Sequence, residues 1–190
     1  ISEEDQQFKP PVRYWTSIED SYHYGSFDPA TSERDTACEA VVFSGAMNRA
    51  NQLLAVEYKA FQKKDPTEMI SKMFDFAQKY RWRKLAIETN GGQEVYVKLI
   101  AEEQRKRNVF CEIVPLRHIK DKFSRIIALQ PRHESGNLLL KQGITELEDQ
   151  LLRFPVSSKL DIVDSLAMIQ EIAEPFIGMK PRVYVPREFR

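Results

Sequence analysis

The sequence predicts an α/β fold whose single mixed β-sheet has helices on both faces. Three short apolar segments, at residues 22–27, 40–43 and 53–58, have strand-like composition, and their short connections favour three consecutive antiparallel strands. After residue 65 the apolar residues return at the spacing of a helix. Two short buried strands, at residues 84–88 and 109–114, then flank a further helical segment, which is the pattern of a right-handed parallel βαβ unit.

Helical spacing recurs through the second half of the chain. Asp65 is a candidate N-cap and Pro66 suits the first position of a helix. Val95, Leu99 and Ile100 mark a second helix. Further helices are predicted at residues 120–129, 144–153 and 161–172, and residues 138–140 are predicted to form a short strand or an extended segment.

Length and composition fit one globular domain. The chain has 190 residues, of which 42% are hydrophobic and 29% are charged, which excludes the disordered and membrane classes of protein. No apolar stretch approaches the roughly 18 residues of a membrane span. We expect a linker or extended arm at residues 1–20, the folded domain at residues 21–176 and a C-terminal tail at residues 177–190.

The N-terminus and the cysteines add two expectations. The first residues lack both an initiator methionine and the residue order of a signal peptide, which indicates a fragment of a longer protein. Cys38 and Cys111 are too few and too isolated for a zinc site or a disulfide framework. We therefore expect two small buried thiols in a reducing cytosol.

Charge is balanced overall but clustered locally. The 28 basic and 28 acidic residues cancel, so the net charge does not point to a nucleic-acid partner. Basic residues gather at positions 79–84, 105–107 and 117–132. Two such clusters on one face would follow the phosphates of a nucleic acid; the alternative is a set of solvated helix ends and loops. His118, beside Arg117, is a candidate phosphate contact.

Four carboxylates occupy positions where a ligand site is expected. Asp28 and Glu88 each end a predicted strand, and strand ends of α/β sheets open into the crevice that binds ligands. Asp161 and Asp164 lie three residues apart at the start of a helix, so their side chains share one face. An all-oxygen site of this kind suits Mg²⁺ or Mn²⁺, and two such ions perform phosphoryl transfer without a covalent nucleophile.

The same carboxylates also admit purely structural roles. Asp28 would then sit in a proline turn, Glu88 would pair with a lysine, and Asp161 would cap its helix. Other catalytic motifs are excluded. The Gly91-Gly92 pair lacks the lysine and spacing of a phosphate-binding loop, and no Gly-x-Ser-x-Gly nucleophile motif occurs. The three histidines are not spaced as metal ligands on a helix.

Four sequence blocks within residues 22–173 resemble one protein family. They are GSFDPA at 25–30 followed by RDT at 34–36, AIETNG at 86–91, DKFSRI at 121–126, and FP at 154–155 leading into DIVDSL at 161–166. In their order and spacing, these blocks resemble the C-terminal nuclease domain of the large terminase subunit of tailed double-stranded DNA bacteriophages. The resemblance implies a ribonuclease H-like fold with the three antiparallel strands first and the parallel βαβ strands after them.

The resemblance also implies roles for individual residues. Asp28 and Glu88 match the acidic residues of the first strand and of a later strand. The last helix of the family opens with two adjacent aspartates and a third three residues on; here Leu160 replaces the first, which leaves Asp161 and Asp164. Those four carboxylates, Asp28, Glu88, Asp161 and Asp164, are the implied catalytic and metal-binding residues, and Lys122 and Arg125 match a basic pair near the site or the DNA backbone.

The implied activity is a divalent-metal-dependent endonuclease, with two Mg²⁺ or Mn²⁺ ions, that cuts concatemeric double-stranded DNA during phage genome packaging. The implied partners are an N-terminal packaging ATPase domain of the same polypeptide, the small terminase subunit and the portal protein, in the cytoplasm of the infected bacterial host. Two alternatives stay open on the sequence. One is a Holliday-junction resolvase or ribonuclease H-type enzyme on the same fold, and the other is a non-catalytic DNA-binding or docking module.

Overall fold

A computed structural model describes residues 7–29, 39–62, 65–89, 94–117 and 121–175. The strands are β1 (Arg13–Tyr14), β2 (Ser21–Asp28), β3 (Ala40–Asn48), β4 (Leu53–Phe61), β5 (Lys84–Glu88), β6 (Glu112–Leu116) and β7 (Leu138–Leu140). The helices are α1 (Pro66–Tyr80), α2 (Glu94–Arg107), α3 (Lys122–Ile127), α4 (Gln130–Glu134), α5 (Thr145–Leu152) and α6 (Asp161–Ile172). None of these helices is both long and apolar enough to cross a membrane.

The strands form one mixed sheet in the order β1-β7-β4-β3-β2-β5-β6. The pairs β2–β3 and β3–β4 are antiparallel, whereas β2–β5 and β5–β6 are parallel, which confirms the predicted sheet. In register, Asp28 lies opposite Val41 of β3, and Phe27 lies beside Ile87 of β5. The C-terminal ends of β2 and β5, which carry Asp28 and Glu88, therefore meet at the same edge of the sheet.

Helices cover both faces of the sheet, as predicted. Because strand side chains alternate between the two faces, Tyr24 and Phe43 belong to one buried cluster, which α3, α5 and α6 complete. Phe27 and Ile87 belong to the other cluster, which α1 and α2 complete. The alternation along β2 thus builds two cores from one strand and places Asp28, like Tyr24 and Ser26, on the face that α6 covers.

The start of α1 follows its sequence signals. Asp65 is the N-cap, and its carboxylate accepts hydrogen bonds from the backbone N–H groups of Thr67 and Glu68, at 2.8 and 3.3 Å. Pro66 occupies the first helical turn, where its missing N–H leaves no hydrogen bond unmade. Arg81 ends the helix in the left-handed conformation, with φ of 51°.

The second βαβ strand differs from its predicted position. We predicted residues 109–114, but β6 begins only at Glu112. The Val109 N–H donates to the carbonyl of Gln104 at the end of α2, and the Gln104 side chain donates to the carbonyl of Cys111 at 2.9 Å. These bonds to the helix replace strand pairing over residues 109–111. Cys111 is half-buried, and burial raises the pKa of its thiol to about 11.

The helix predicted from Val95, Leu99 and Ile100 is present as α2, and one further helix prediction needs correction. Ile100 is buried in α2 together with Tyr96 and Gln104, whereas Val95 and Leu99 are 53% and 39% exposed. The single helix predicted over residues 120–129 ends as α3 at Ile127, and α4 follows from Gln130. Helices α5 and α6 and strand β7 lie where they were predicted.

Residues 7–20 pack on the domain rather than forming a detached linker. Phe8 is fully buried, and its ring makes edge contacts with Phe154 and His133 at centroid distances of 5.7 and 5.5 Å. Strand β1 pairs in parallel with β7 at the border of the sheet. The sequence lacked a signal for this packing because one aromatic residue and a two-residue strand have no periodicity.

Several sequence features lie outside the described residues. They are Cys38, residues 34–36 of the first motif block, residues 90–93 with the Gly91-Gly92 pair, His118, and the tail at residues 177–190.

Gly45 lets helix α6 approach the sheet closely. A Cβ atom at this position would lie 3.1 Å from Ile169 Cδ1 of α6 and 3.2 Å from the carbonyl oxygen of Leu54. The strand register also shifts between Ser44 and Gly45. The missing side chain therefore brings α6, and the aspartates of its first turn, against β2 and β3.

Candidate active site

Two of the predicted site residues lie at adjacent strand ends. Asp28 is the last residue of β2 and is 7% exposed, and Glu88 is the last residue of β5 and is half-buried. Thr89 holds the end of β5 against β6, since both its backbone N–H and its hydroxyl donate to the carbonyl of Leu116, at 2.9 and 3.1 Å. The parallel pairing of β2 with β5 therefore places Asp28 and Glu88 side by side.

Helix α6 brings the other two aspartates to this edge. The Ser26 hydroxyl of β2 donates to the carbonyl of Ser165 at 2.7 Å, which joins the strand to the first turns of the helix. The Gln150 side-chain oxygen accepts from the backbone N–H groups of Ile162 and Val163, at 3.2 and 3.1 Å. Gln150 therefore caps α6, and the alternative that Asp161 caps its own helix is wrong.

Both oxygens of Asp161 have partners from other elements. Oδ1 accepts a hydrogen bond from Lys122 Nζ of α3 at 2.5 Å. Oδ2 accepts from the backbone N–H of Glu39 at 3.1 Å, and the Glu39 side chain is paired with Lys159 at 2.8 Å. Asp161 is 4% exposed, so its orientation is set by these two contacts rather than by solvent.

Asp164 forms a buried, two-point ion pair with Arg125. The guanidinium donates from Nε to Oδ1 at 2.9 Å and from Nη2 to Oδ2 at 2.5 Å. The side chains are 8% and 2% exposed for Arg125 and Asp164, and Lys122 Nζ lies 3.8 Å from the same carboxylate. The pair with Arg125 therefore gives Asp164 a structural role, because it joins α6 to α3.

The charges of all four carboxylates act on Lys122 or on Arg125. Burial raises the pKa of Asp164, and this effect outweighs the lowering of the pKa by the positive charges of Arg125 and Lys122. Burial alone would lower the pKa of Lys122, but the charges of Asp164 and Asp161 outweigh it and raise that pKa. Asp28 also acts on Lys122, and Glu88 acts on Arg125. The basic pair of α3 thus lies among the carboxylates.

The donor set has the chemistry of a site for a hard divalent cation. Carboxylate oxygens from two strand ends and one helix are the ligands that Mg²⁺ and Mn²⁺ prefer. Within the described parts of the chain, however, no three Asp, Glu, His or Cys side chains converge closely enough to hold a metal ion. The Lys122 ammonium, on Asp161 and close to Asp164, fills the position of a cation in this cluster.

Three residues that position the site carried no clear signal in the sequence. Glu39 acts through its backbone N–H, which no side-chain pattern reveals. Gln150 reaches α6 from another helix, and Ser26 acts through a hydroxyl on the strand face that meets α6. A polar residue inside an otherwise apolar stripe was the available hint for Gln150, since a buried amide needs a hydrogen-bond partner.

Comparison with solved structures shows the same fold in terminase nucleases. The human cytomegalovirus terminase nuclease domain, soaked with Mn and inhibitor-bound, has a TM-score of 0.60 and 14% identity, covering 92% of this chain and 95% of that chain. The large terminase nuclease of thermophilic phage G20c with bound zinc has a TM-score of 0.55 and 16% identity, covering 86% and 94%. The large terminase of a second thermophilic bacteriophage has a TM-score of 0.56 and 8% identity, and the match covers 89% of this chain but 42% of that one.

At the level of sequence, no curated protein matches the chain. The family model described as the ribonuclease H-like domain of the bacteriophage T7 terminase matches residues 27–138, which is more than half of the chain. The match includes the ends of β2 and β5 with Asp28 and Glu88, and it agrees with the mixed sheet described above. This chain therefore belongs to the family of terminase ribonuclease H-like nuclease domains.

Proposed function

We propose that this domain is a divalent-metal-dependent endodeoxyribonuclease that cuts concatemeric double-stranded DNA during phage genome packaging. The observation that carries the proposal is the placement of Asp28 and Glu88 at adjacent strand ends, with Asp161 bonded to the Glu39 backbone beside them, in a terminase nuclease fold. Family membership supports nuclease chemistry, and the all-oxygen donor set supports hard cations.

We assign Mg²⁺ or Mn²⁺ to Asp28, Glu88 and Asp161, with two ions as the proposed number. Such ions, when bound, supply positive charge that activates a water nucleophile and stabilises the departing oxygen of the phosphodiester. Metal appears in two related structures, as the manganese soaked into the cytomegalovirus domain and the zinc bound to the phage G20c domain. These related domains support the use of a divalent metal by this domain.

The remaining site residues position the ligands. The Glu39 backbone N–H fixes one oxygen of Asp161, and Arg125 fixes both oxygens of Asp164. Asp164 was also expected to bind metal; its two-point pairing with Arg125 supports a smaller role for it than for Asp161. Arg125 was expected to contact DNA, but its burial supports a positioning role instead. DNA contact by Lys122 and His118 stays a prediction.

The proposed partners follow from the terminase context. The match to the large terminase of the second thermophilic bacteriophage covers 42% of that chain, which supports a further domain on the same polypeptide, for which we propose the packaging ATPase. We also propose the small terminase subunit and the portal protein as partners, and the cytoplasm of the infected bacterial host as the location. Each of these assemblies is open to test by co-purification.

The proposed function is tested by nicking of supercoiled plasmid. We expect cutting with Mg²⁺ or Mn²⁺, no cutting with chelator, and no cutting by Asp28→Asn. Asp161→Asn and Glu88→Gln should be severely impaired, with partial rescue at high Mn²⁺, and Asp164→Asn should retain the most activity at matched stability. Metal-independent cutting, or wild-type rates for a folded Asp28→Asn variant, would contradict the proposal.

A further inference from the structure

The strongest unused feature of the site is the position of Lys122 Nζ. It lies 2.5 Å from Asp161 Oδ1 and 3.8 Å from Asp164 Oδ2, and the charge of Asp28 also acts on it. The other oxygen of Asp161 is already occupied by the Glu39 N–H. An ammonium group therefore holds the one Asp161 oxygen that does not accept from the backbone.

A divalent ion and this ammonium group cannot share that oxygen at contact distance. Both are cations, and their repulsion is large wherever water screens poorly, as it does beside a carboxylate that is 4% exposed. Lys122 differs here from Arg125. The Lys122 side chain is 33% exposed, on a flexible aliphatic stem, whereas Arg125 is 8% exposed and held at two points.

We propose that Lys122 is an internal counter-ion that competes with the divalent metal for Asp161 and thereby sets the metal affinity of the domain. This inference rests on the proposed function, because it assigns a metal to Asp161. Binding of a divalent ion displaces the Lys122 ammonium towards solvent, while the Arg125–Asp164 pair stays in place. Each metal bound at Asp161 thus breaks one ion pair of the protein.

The competition is tested by titration of Mn²⁺ into the full chain, with free Mn²⁺ followed by electron paramagnetic resonance. Lys122→Gln removes the charge and keeps the side-chain polarity, and Lys122→Met keeps the length of the stem. Lys159→Gln is the matched control, because Lys159 also acts on Asp161 but is bonded to Glu39 instead. Asp161→Asn identifies the binding event that belongs to this site.

We expect the Kd for Mn²⁺ to be roughly tenfold lower in both Lys122 variants than in the wild type. Lys159→Gln should change the affinity less. Equal or weaker Mn²⁺ binding by folded Lys122 variants overturns the inference and leaves the proposed function standing, as does an equal gain in Lys159→Gln. If Mn²⁺ binding by the wild type is absent or insensitive to Asp161→Asn, the metal assignment of the proposed function fails, and this inference fails with it.

Discussion

The Arg125–Asp164 pair shows how single residues constrain this site. Both side chains are almost fully buried, so removal of Arg125 leaves the Asp164 carboxylate buried with Lys122 Nζ, at 3.8 Å, as its remaining ion-pair partner. The two hydrogen bonds also tie α3 to α6, which carries Asp161 in the same turn. A change at Arg125 should therefore act on fold stability before it acts on any DNA contact.

We expect Arg125→Ala to lower the free energy of unfolding by about 3–5 kcal/mol, the usual cost of removing one partner of a buried ion pair. Chemical denaturation of the purified domain measures this loss of unfolding free energy. The double variant Arg125→Ala/Asp164→Ala should regain part of that loss, because it leaves no unpaired charge. A loss below about 1 kcal/mol for Arg125→Ala, typical of exposed ion pairs, would show that the pair is solvated.

His23 links stability to pH at the opposite end of β2. Its ring stacks on Tyr80 at a centroid distance of 5.6 Å, and its buried Nδ1 has no hydrogen-bond partner among the described residues. Burial lowers the pKa of His23 below the ordinary 6.5. The unfolded chain therefore takes up the proton first, and stability falls as the pH drops below about 6.5.

His23→Phe keeps the stacked ring and removes the titrating group. We expect the loss of thermal stability between pH 7.5 and pH 5.5 to be smaller in this variant than in the wild type. The other histidines are present in both proteins, so their effect cancels in the comparison. Parallel pH profiles for the two proteins would mean that His23 is protonated equally well in the folded and unfolded states.

At the scale of elements, the site depends on how α6 is held. Gly45 allows its close approach, Ser26 binds it from β2, and Gln150 caps it from α5. The first turn of α6 carries Asp161 and Asp164, so a loosened N-terminus displaces both carboxylates. Helix capping is therefore coupled to the positions of Asp161 and Asp164, of which Asp161 is a metal ligand in the function that we propose.

We expect Gln150→Ala to lower the free energy of unfolding by about 1–3 kcal/mol, because two buried N–H groups of α6 lose their acceptor. Nicking activity should fall further than stability alone explains, measured at a temperature where the variant is fully folded. Gln130→Ala is the control, since the Gln130 side chain, within the part of the chain that the structure describes, bonds to Glu134 at an exposed position and its loss should be neutral. If the two variants have the same stability and the same nicking activity, Gln150 does not position α6.

Periodicity predicted most elements but not their ends. The cap at Asp65 and the apolar stripe of α6 were visible because local hydrogen bonding and burial set them. The start of β6 was misplaced because Gln104 reaches it from α2, a contact between elements that a window of sequence cannot contain. The pairing of β1 with β7 was missed for the same reason.

At the scale of the whole molecule, the strand-end positions of Asp28 and Glu88 followed from the order of antiparallel and parallel strands. Their proximity could be predicted because parallel neighbours end at the same edge of a sheet. The hydrogen-bond and ion-pair partners of the carboxylates could not be predicted from the sequence. That Lys122 and Arg125 bind Asp161 and Asp164 depends on the packing of α3 against α6, which joins residues 39 positions apart.

The central claim is that Asp28, Glu88 and Asp161 hold the metal of a nuclease. The most direct test is an anomalous difference map, recorded at the manganese absorption edge, from crystals of the domain grown with Mn²⁺. We predict a peak in contact with Asp28 and Asp161, with Lys122 Nζ no longer bonded to Asp161. A domain that cuts DNA while its manganese binds elsewhere, with the Lys122–Asp161 bond intact, would contradict the account.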